Sequence, residues 1–238
     1  MKMITKATKN LNDYDFDAGV LILINKPLNW TSFKVVDRVK RLLKAKKVGH
    51  TGTLDPKATG LLLLCTGKLT KSISNFQNSM KEYTGKIYLG KTTPTMDIET
   101  IDEASEEKDI SHINIELIRE KTKKFIGEIE QVPPSYSAIW VVGKRSYKLA
   151  REGKEVNLKP RKVYVEKFEI INYTPPIVEF AVVCSKGTYV RSLARDLGEE
   201  LGCGAFLYEL KRVRIGEFKL EDAIELQELK KIAEKNRQ

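Results

Sequence analysis

Gly49-His50-Thr51-Gly52-Thr53-Leu54-Asp55-Pro56-Lys57-Ala58-Thr59-Gly60 is the stretch from which the rest of this 238-residue chain can be read. Its glycines permit tight backbone turns. Pro56 drives the residue before it out of the helical region, so Asp55 is expected in an extended conformation. A carboxylate on such a loop projects from the scaffold, a placement that suits a nucleophile or a general base. The segment is not a phosphate-cradling Walker loop, because GxxxxGK[ST] is absent. On the residues alone, the same stretch also reads as an Asp-Pro turn with a helix-capping role, and the residues alone favour that simpler reading.

Working outward, Val20–Asn25 is an apolar run ending at Lys26-Pro27, consistent with a buried strand, and Leu61–Cys65 is a second. Between them, Val35, Val39 and Leu42 repeat at helical spacing after Ser32, which is positioned to cap the helix. The helix, read over 32–47, carries Lys34, Arg38, Lys40, Arg41, Lys44, Lys46 and Lys47 against the single acid Asp37. That imbalance points to a phosphate-facing surface rather than an ordinary solvated face. Residues 1–18 are polar and read as a loose extension. Further strands are expected at 83–89, 162–171, 177–184 and 206–215, and helices at 69–77, 114–126, from Gly187 to Gly202, and at 222–235. Residues 99–110 are an acidic, solvated loop, and 131–159 form a basic segment punctuated by Pro and Gly. The order of elements is α+β, without a regular βαβ alternation.

Composition narrows the function classes. Forty-two Lys+Arg against 32 Asp+Glu leave a formal charge of +10, which favours a polyanionic partner. Cys65, Cys184 and Cys203 form no CxxC pair and are odd in number, so a disulfide framework is not expected and a reducing compartment is. With only His50 and His112 as histidines, a structural zinc site has little support, and no metal is expected. No apolar run approaches the roughly 20 residues that span a bilayer. The N-terminus lacks the apolar stretch of a signal peptide. The reading is a cytoplasmic protein with no membrane attachment.

The 49–60 stretch closely resembles the signature of the TruB family, bacterial synthases of pseudouridine in the tRNA T loop. Ile24-Asn25-Lys26-Pro27, Lys81-Glu82-Tyr83, Pro133–Ala138 and Gly143–Tyr147 accompany it in family order. So do Cys184-Ser185-Lys186-Gly187-Thr188-Tyr189-Val190-Arg191-Ser192, Asp196-Leu197-Gly198 and Leu201-Gly202-Cys203-Gly204-Ala205. The resemblance covers roughly residues 19–220. It implies the pseudouridine synthase fold, a mostly antiparallel mixed sheet with flanking helices and an RNA cleft. It also implies isomerisation of the T-loop uridine, position fifty-five in tRNA numbering, with the target base flipped out of the stack.

The resemblance also implies roles. Asp55 matches the catalytic aspartate, Tyr83 the tyrosine that packs on the target base, and Arg191 the arginine that pairs with the aspartate. Tyr189 and Leu210 match residues lining the base pocket, though both also read as plain core. His50 matches the histidine that fills the place vacated by the flipped base. Lys26 organises the active-site loop or contacts phosphate. Residues 131–159 match an RNA-gripping insertion. No cofactor is implied, because the reaction rearranges a single nucleotide. The implied partner is the tRNA T stem-loop, with no obligate protein partner and a monomeric state. Many relatives continue into a small C-terminal RNA-binding PUA domain, whereas here residues 221–238 read as a closing helix, which leaves grip on the acceptor-stem end in doubt. Two other functions stay open: a guide-RNA-dependent synthase acting on rRNA, and an RNA-binding or RNA-folding protein that needs no catalysis.

Overall fold

The computed structural model describes residues 1–141 and 143–235. Its elements in chain order begin with β1 (Met3–Ile4), β2 (Leu21–Lys26), α1 (Ser32–Leu43), β3 (Val48–His50), β4 (Ala58–Thr66), α2 (Ile73–Asn78) and β5 (Lys81–Leu89). There follow α3 (Ile115–Thr122), β6 (Gly127–Gln131), β7 (Trp140–Val141), β8 (Lys144–Arg145), α4 (Ser146–Arg151), β9 (Arg161–Thr174) and β10 (Ile177–Cys184). The last are α5 (Val190–Glu200), β11 (Ala205–Ile215), β12 (Phe218–Lys219), β13 (Ile224–Glu225) and α6 (Leu226–Lys235). The expected α+β class holds: eleven strands form a mixed sheet, and β7 and β8 form a separate ribbon. Most of the described pairings are antiparallel, with parallel pairs at β1–β2, β2–β13 and β4–β11. The chain divides into two compact units, Met1–Tyr83 with Leu210–Gln238, and Thr84–Glu209.

In the first unit, β2 and β4 run antiparallel with Leu23 opposite Leu63. Side chains on a strand alternate between faces, so each strand feeds two cores. Ile22, Ile24, Leu62 and Leu64 pack with Val35, Val39 and Leu42 of α1 and Leu229 of α6. Leu21, Leu23, Leu61 and Leu63 pack with Ile215, and Ile73 and Phe76 of α2 lie against that cluster. Burial on both faces is why these strands read as unbroken apolar runs.

Several expectations need correction here. Residues 1–18 are not loose. β1 pairs with β2, and Ile4 and Leu11 are buried in the α1 core. The cap of α1 is Thr31, whose side chain accepts from the Lys34 amide, not Ser32. The helix stops at Leu43, with Lys44 as a left-handed C-cap at φ 50°, so Lys46 and Lys47 lie beyond it. Lys46 pairs with Asp17 at 2.9 Å. Asp55-Pro56 caps no helix: its turn leads straight into β4, and part of the expected 49–60 loop is strand β3. The C-terminal helix begins at Leu226 rather than 222, and residues 236–238 of the expected 221–238 segment lie outside the described residues.

In the second unit, β10 and β9 form a long antiparallel ribbon with two register shifts, and β6 pairs with β9. Phe168 and Phe180 meet edge-on at 5.7 Å in its core. Buried Val190, Leu193, Ala194 and Leu197 confirm the expected apolar stripe of α5. That helix begins at Val190, three residues later than the sequence reading, because Lys186 and Gly187 (φ 85°) form a turn before it, closed by the Thr188 amide donating to the Ser185 carbonyl at 3.4 Å. In the basic 131–159 segment, the Arg145 guanidinium lies 4.5 Å over the ring of exposed Trp140.

Candidate active site

The carboxylate of Asp55 is carried by a loop fastened on both sides of it. β3 enters in register with β4, His50 opposite Leu64, and the Thr51 amide donates to the Leu63 carbonyl at 3.0 Å. Asp55 opens a tight turn with Pro56 in its second place, closed by the Ala58 amide donating to the Asp55 carbonyl at 3.0 Å. One residue before, the Ser32 hydroxyl accepts from the Leu54 amide at 2.9 Å and donates to the Leu54 carbonyl at 3.1 Å. One residue after, the Pro56 carbonyl accepts from the Asn29 amide at 2.9 Å and from the Lys26 ammonium at 3.4 Å. Thus Leu54 and Pro56 are pinned through their backbone. The half-buried Asp55 side chain takes no part in these bonds.

Lys26 is fully buried, and its ammonium also donates to the carbonyls of Pro27 at 3.0 Å and Trp30 at 2.5 Å. Burial pushes its pKa down to about 8, with the Asp55 carboxylate pulling it up and the Arg212 cation pushing it down. This places Lys26 under the loop as an anchor rather than on the surface as a phosphate ligand. The folded value lies below the unfolded one of 10.5, so the folded state binds fewer protons between about pH 8 and 10.5. The contribution of Lys26 to stability therefore rises with pH across that window and is at its least favourable below it. A 13C titration of the lysine ε-carbons should show one lysine with a midpoint near 8 that disappears in Lys26→Met. If every lysine titrates near 10.5, the amine is in water and the anchor is wrong.

Arg212 completes the floor, and sequence reasoning missed it. Only 1% of it is exposed. Its Nε donates to the Leu61 carbonyl on β4 at 2.8 Å and its Nη2 to the Gly52 carbonyl in the loop at 3.3 Å. Parallel pairing sets Arg212 beside Gly60 and Leu210 beside Ala58. Leu210 is thereby brought to the strand that leaves the Asp55 turn. The His50 imidazole has its pKa lowered by burial first and by Arg212 second, while a hydrogen bond to the Gly52 backbone acts the other way. His50 is therefore neutral at pH 7, and its Nδ1 is buried without a hydrogen-bond partner among the described residues. Tyr83 is buried on β5 and shares a face with Lys81, whose ammonium donates to the Ser79 carbonyl at 2.6 Å. Asp55, His50, Lys26, Tyr83 and Leu210 all belong to the first unit.

Arg191 and Tyr189 belong to the second. Arg191 is only 5% exposed. Its guanidinium donates to the carbonyls of Thr95 at 3.0 Å and Tyr136 at 3.1 Å, and its Nε lies 3.6 Å from the buried Asp97 carboxylate. Asp97 is a further residue the sequence did not single out. Its carboxylate accepts from the Thr95 hydroxyl at 2.7 Å and the Glu99 amide at 2.9 Å. Tyr189 precedes α5. Its amide donates to the Gln131 side chain at 2.8 Å, the Gln131 amide returns a bond to its carbonyl at 3.1 Å, and Arg161 lies 4.7 Å over its ring. Both ends of this cluster are rigidly held, a property needed in groups that position others.

Comparison with known proteins gives one consistent picture. The family model for the TruB family pseudouridylate synthase (N terminal domain) matches residues 40–190, and that for the tRNA pseudouridylate synthase B C-terminal domain matches 191–238. A protein of Parabacteroides distasonis named tRNA pseudouridine synthase B is 46% identical over 228 residues, covering 93% of this chain and 96% of that one. Its namesake from Flavobacterium johnsoniae is 48% identical over 215 residues, covering 87% and 93%. Among solved structures, a Cbf5-Nop10-Gar1 complex contains a chain 30% identical, with a TM-score of 0.70, covering 96% of this chain and 62% of that one. An H/ACA RNP bound to a substrate RNA containing 2'-deoxyuridine contains another at 30% identity and TM-score 0.66, of which this chain spans 52%.

Proposed function

The chain belongs to the TruB family of pseudouridylate synthases, and from that premise we propose that it isomerises the T-loop uridine of tRNA, position fifty-five, to pseudouridine. The observation that carries the reading is 46% and 48% identity, over most of the chain, to relatives named tRNA pseudouridine synthase B. In this reaction the N1–C1′ bond breaks, the uracil turns in place, a C5–C1′ bond forms, the C5 proton leaves and N1 takes up a proton, so the product is an isomer of the substrate. Asp55 initiates it by attacking C1′ or C6, or by taking the C2′ proton to give a glycal. Each route needs an ionised carboxylate in a fixed position, and the clamps on Leu54 and Pro56 support that. Tyr83 offers an aromatic face to the displaced base, worth about 1–3 kcal/mol against unstacking. In the family that the chain resembles, the residues matching Tyr189 and Leu210 line the base pocket, and the arginine matching Arg191 keeps the catalytic carboxylate ionised. Neutral His50 replaces the flipped base in the RNA stack, a role for which a charged imidazole is less suited. Residues 131–159 grip the RNA, and the basic face of α1 meets its phosphates. We place the enzyme in the cytoplasm as a monomer without an obligate partner; among the described residues no helix is long and apolar enough to cross a membrane.

A single-turnover assay on an unmodified tRNA transcript, with no guide RNA added, is expected to yield pseudouridine at the T-loop uridine alone. Conversion only when a guide RNA is supplied establishes the guide-dependent reading instead. Tight binding without conversion establishes an RNA-folding role.

A further inference from the structure

Gly52 begins the segment that leads to Asp55, and Leu61 lies in the strand that follows it. Arg212 is the one side chain shown donating to both carbonyls, at 3.3 and 2.8 Å. A buried cation is costly in a protein interior unless its hydrogen bonds are met. A planar guanidinium presents donors in a rigid fork, which a lysine ammonium does not. We infer that Arg212 is a positioning residue for the isomerisation, a strut that fixes the Asp55 loop against β4. The inference rests on Asp55 being the catalytic carboxylate, and it adds a residue that touches neither base nor sugar.

Two observations beyond the hydrogen bonds support the strut. Arg212 shares a strand face with Leu210, two residues before it, so β11 presents both to the start of β4. Arg212 also acts on both ionisable neighbours of the loop, lowering the pKa of Lys26 and that of His50. The charged groups of this floor are Arg212 from β11, Lys26 from β2 and Asp55 from the loop itself, and of these Arg212 is the one that depresses His50. A strut that slackens should misplace Asp55 and release His50 together.

The test uses the full chain with saturating unmodified tRNA under single-turnover conditions. Arg212→Ala should lower the rate about 100-fold, as small misplacements of reacting groups do, with tRNA affinity within about threefold of wild type. Guanidinium ion should restore at least part of the rate, while sodium chloride at equal ionic strength should not. The chain has two histidines, so imidazole resonances are readily assigned with a His50→Gln control. The His50 midpoint should rise in Arg212→Ala, because a nearby cation is gone, and stay put in Arg212→Lys, which keeps the charge. Arg212→Lys should still turn over slowly, since an ammonium cannot span the two carbonyls as the fork does. If Arg212→Ala does not fold, the lysine variant decides: a slow rate with intact binding supports the strut, and a wild-type rate overturns it. A folded Arg212→Ala protein with wild-type rate, or with rate and affinity lost in proportion and no guanidinium rescue, overturns it as well. A fully active Asp55→Asn protein removes the catalytic reading instead, and leaves the His50 shift to stand or fall by itself.

Discussion

Asp55→Asn should fold, bind tRNA and form no pseudouridine. The amide can neither attack C1′ or C6 nor accept the C2′ proton, so the single-turnover rate should fall by at least about 10⁴-fold, as expected for removal of a nucleophile that acts as a unit with its surroundings. The fold should survive because the loop is held by backbone bonds at Leu54, Pro56 and Ala58, which the amide leaves in place. One electrostatic change should accompany the loss. The carboxylate raises the Lys26 pKa, so the amide variant should titrate Lys26 below its wild-type value of about 8. Pseudouridine mapping, tRNA affinity, a thermal melt and the lysine titration check the four expectations separately. A normal rate of conversion sinks the assignment of Asp55, and a lost fold shows that its side chain holds the loop together.

What the sequence made legible follows from which forces are local. The runs at 20–25 and 61–65 were readable because β2 and β4 are buried on both faces and so carry no polar alternation. The α1 stripe was readable because Val35, Val39 and Leu42 recur at helical spacing. Ser32 was misassigned because Thr31 and Ser32 offer the same hydroxyl to a helix start, and the Leu54 partner of Ser32 lies 22 residues away. The end of α1 was missed because Lys44 takes a left-handed conformation that usually falls to Gly or Asn. β1 is two residues long, too short for any periodicity, and depends on pairing with Leu21 and Ile22. The site divided in the same way. Asp55, Tyr83 and Arg191 were singled out by resemblance alone, whereas burial at Arg212 and Asp97 is a tertiary property. A signal for Arg212 did exist: it lies two residues from Leu210 on one strand, where parity puts both on a single face.

That same pairing makes Gly60 the position in the loop least able to accept a side chain. Gly60 has φ 103°, a region L residues rarely adopt, and an added Cβ would stand 2.3 Å from the Arg212 carbonyl oxygen and 2.7 Å from its amide nitrogen. Both are backbone atoms of the paired strand, so no rotamer change relieves the clash, and β4 and β11 would have to part. Gly127 supplies the control. Its φ of 95° carries a similar conformational penalty, but nothing lies within 4 Å of the Cβ it would gain. Gly127→Ala should therefore cost about 1–2 kcal/mol, the strain alone. Gly60→Ala should cost about 3 kcal/mol or more, strain and displaced backbone together. The difference should also appear in activity. Moving Arg212 loosens its bonds to Gly52 and Leu61, so whatever Gly60→Ala protein folds should turn over slowly while Gly127→Ala remains near wild type. Urea unfolding of both variants beside single-turnover rates makes the comparison. Equal destabilisation of the two would mean that the β4–β11 contact is not close, and would remove the steric reason for a glycine at the end of the Asp55 loop.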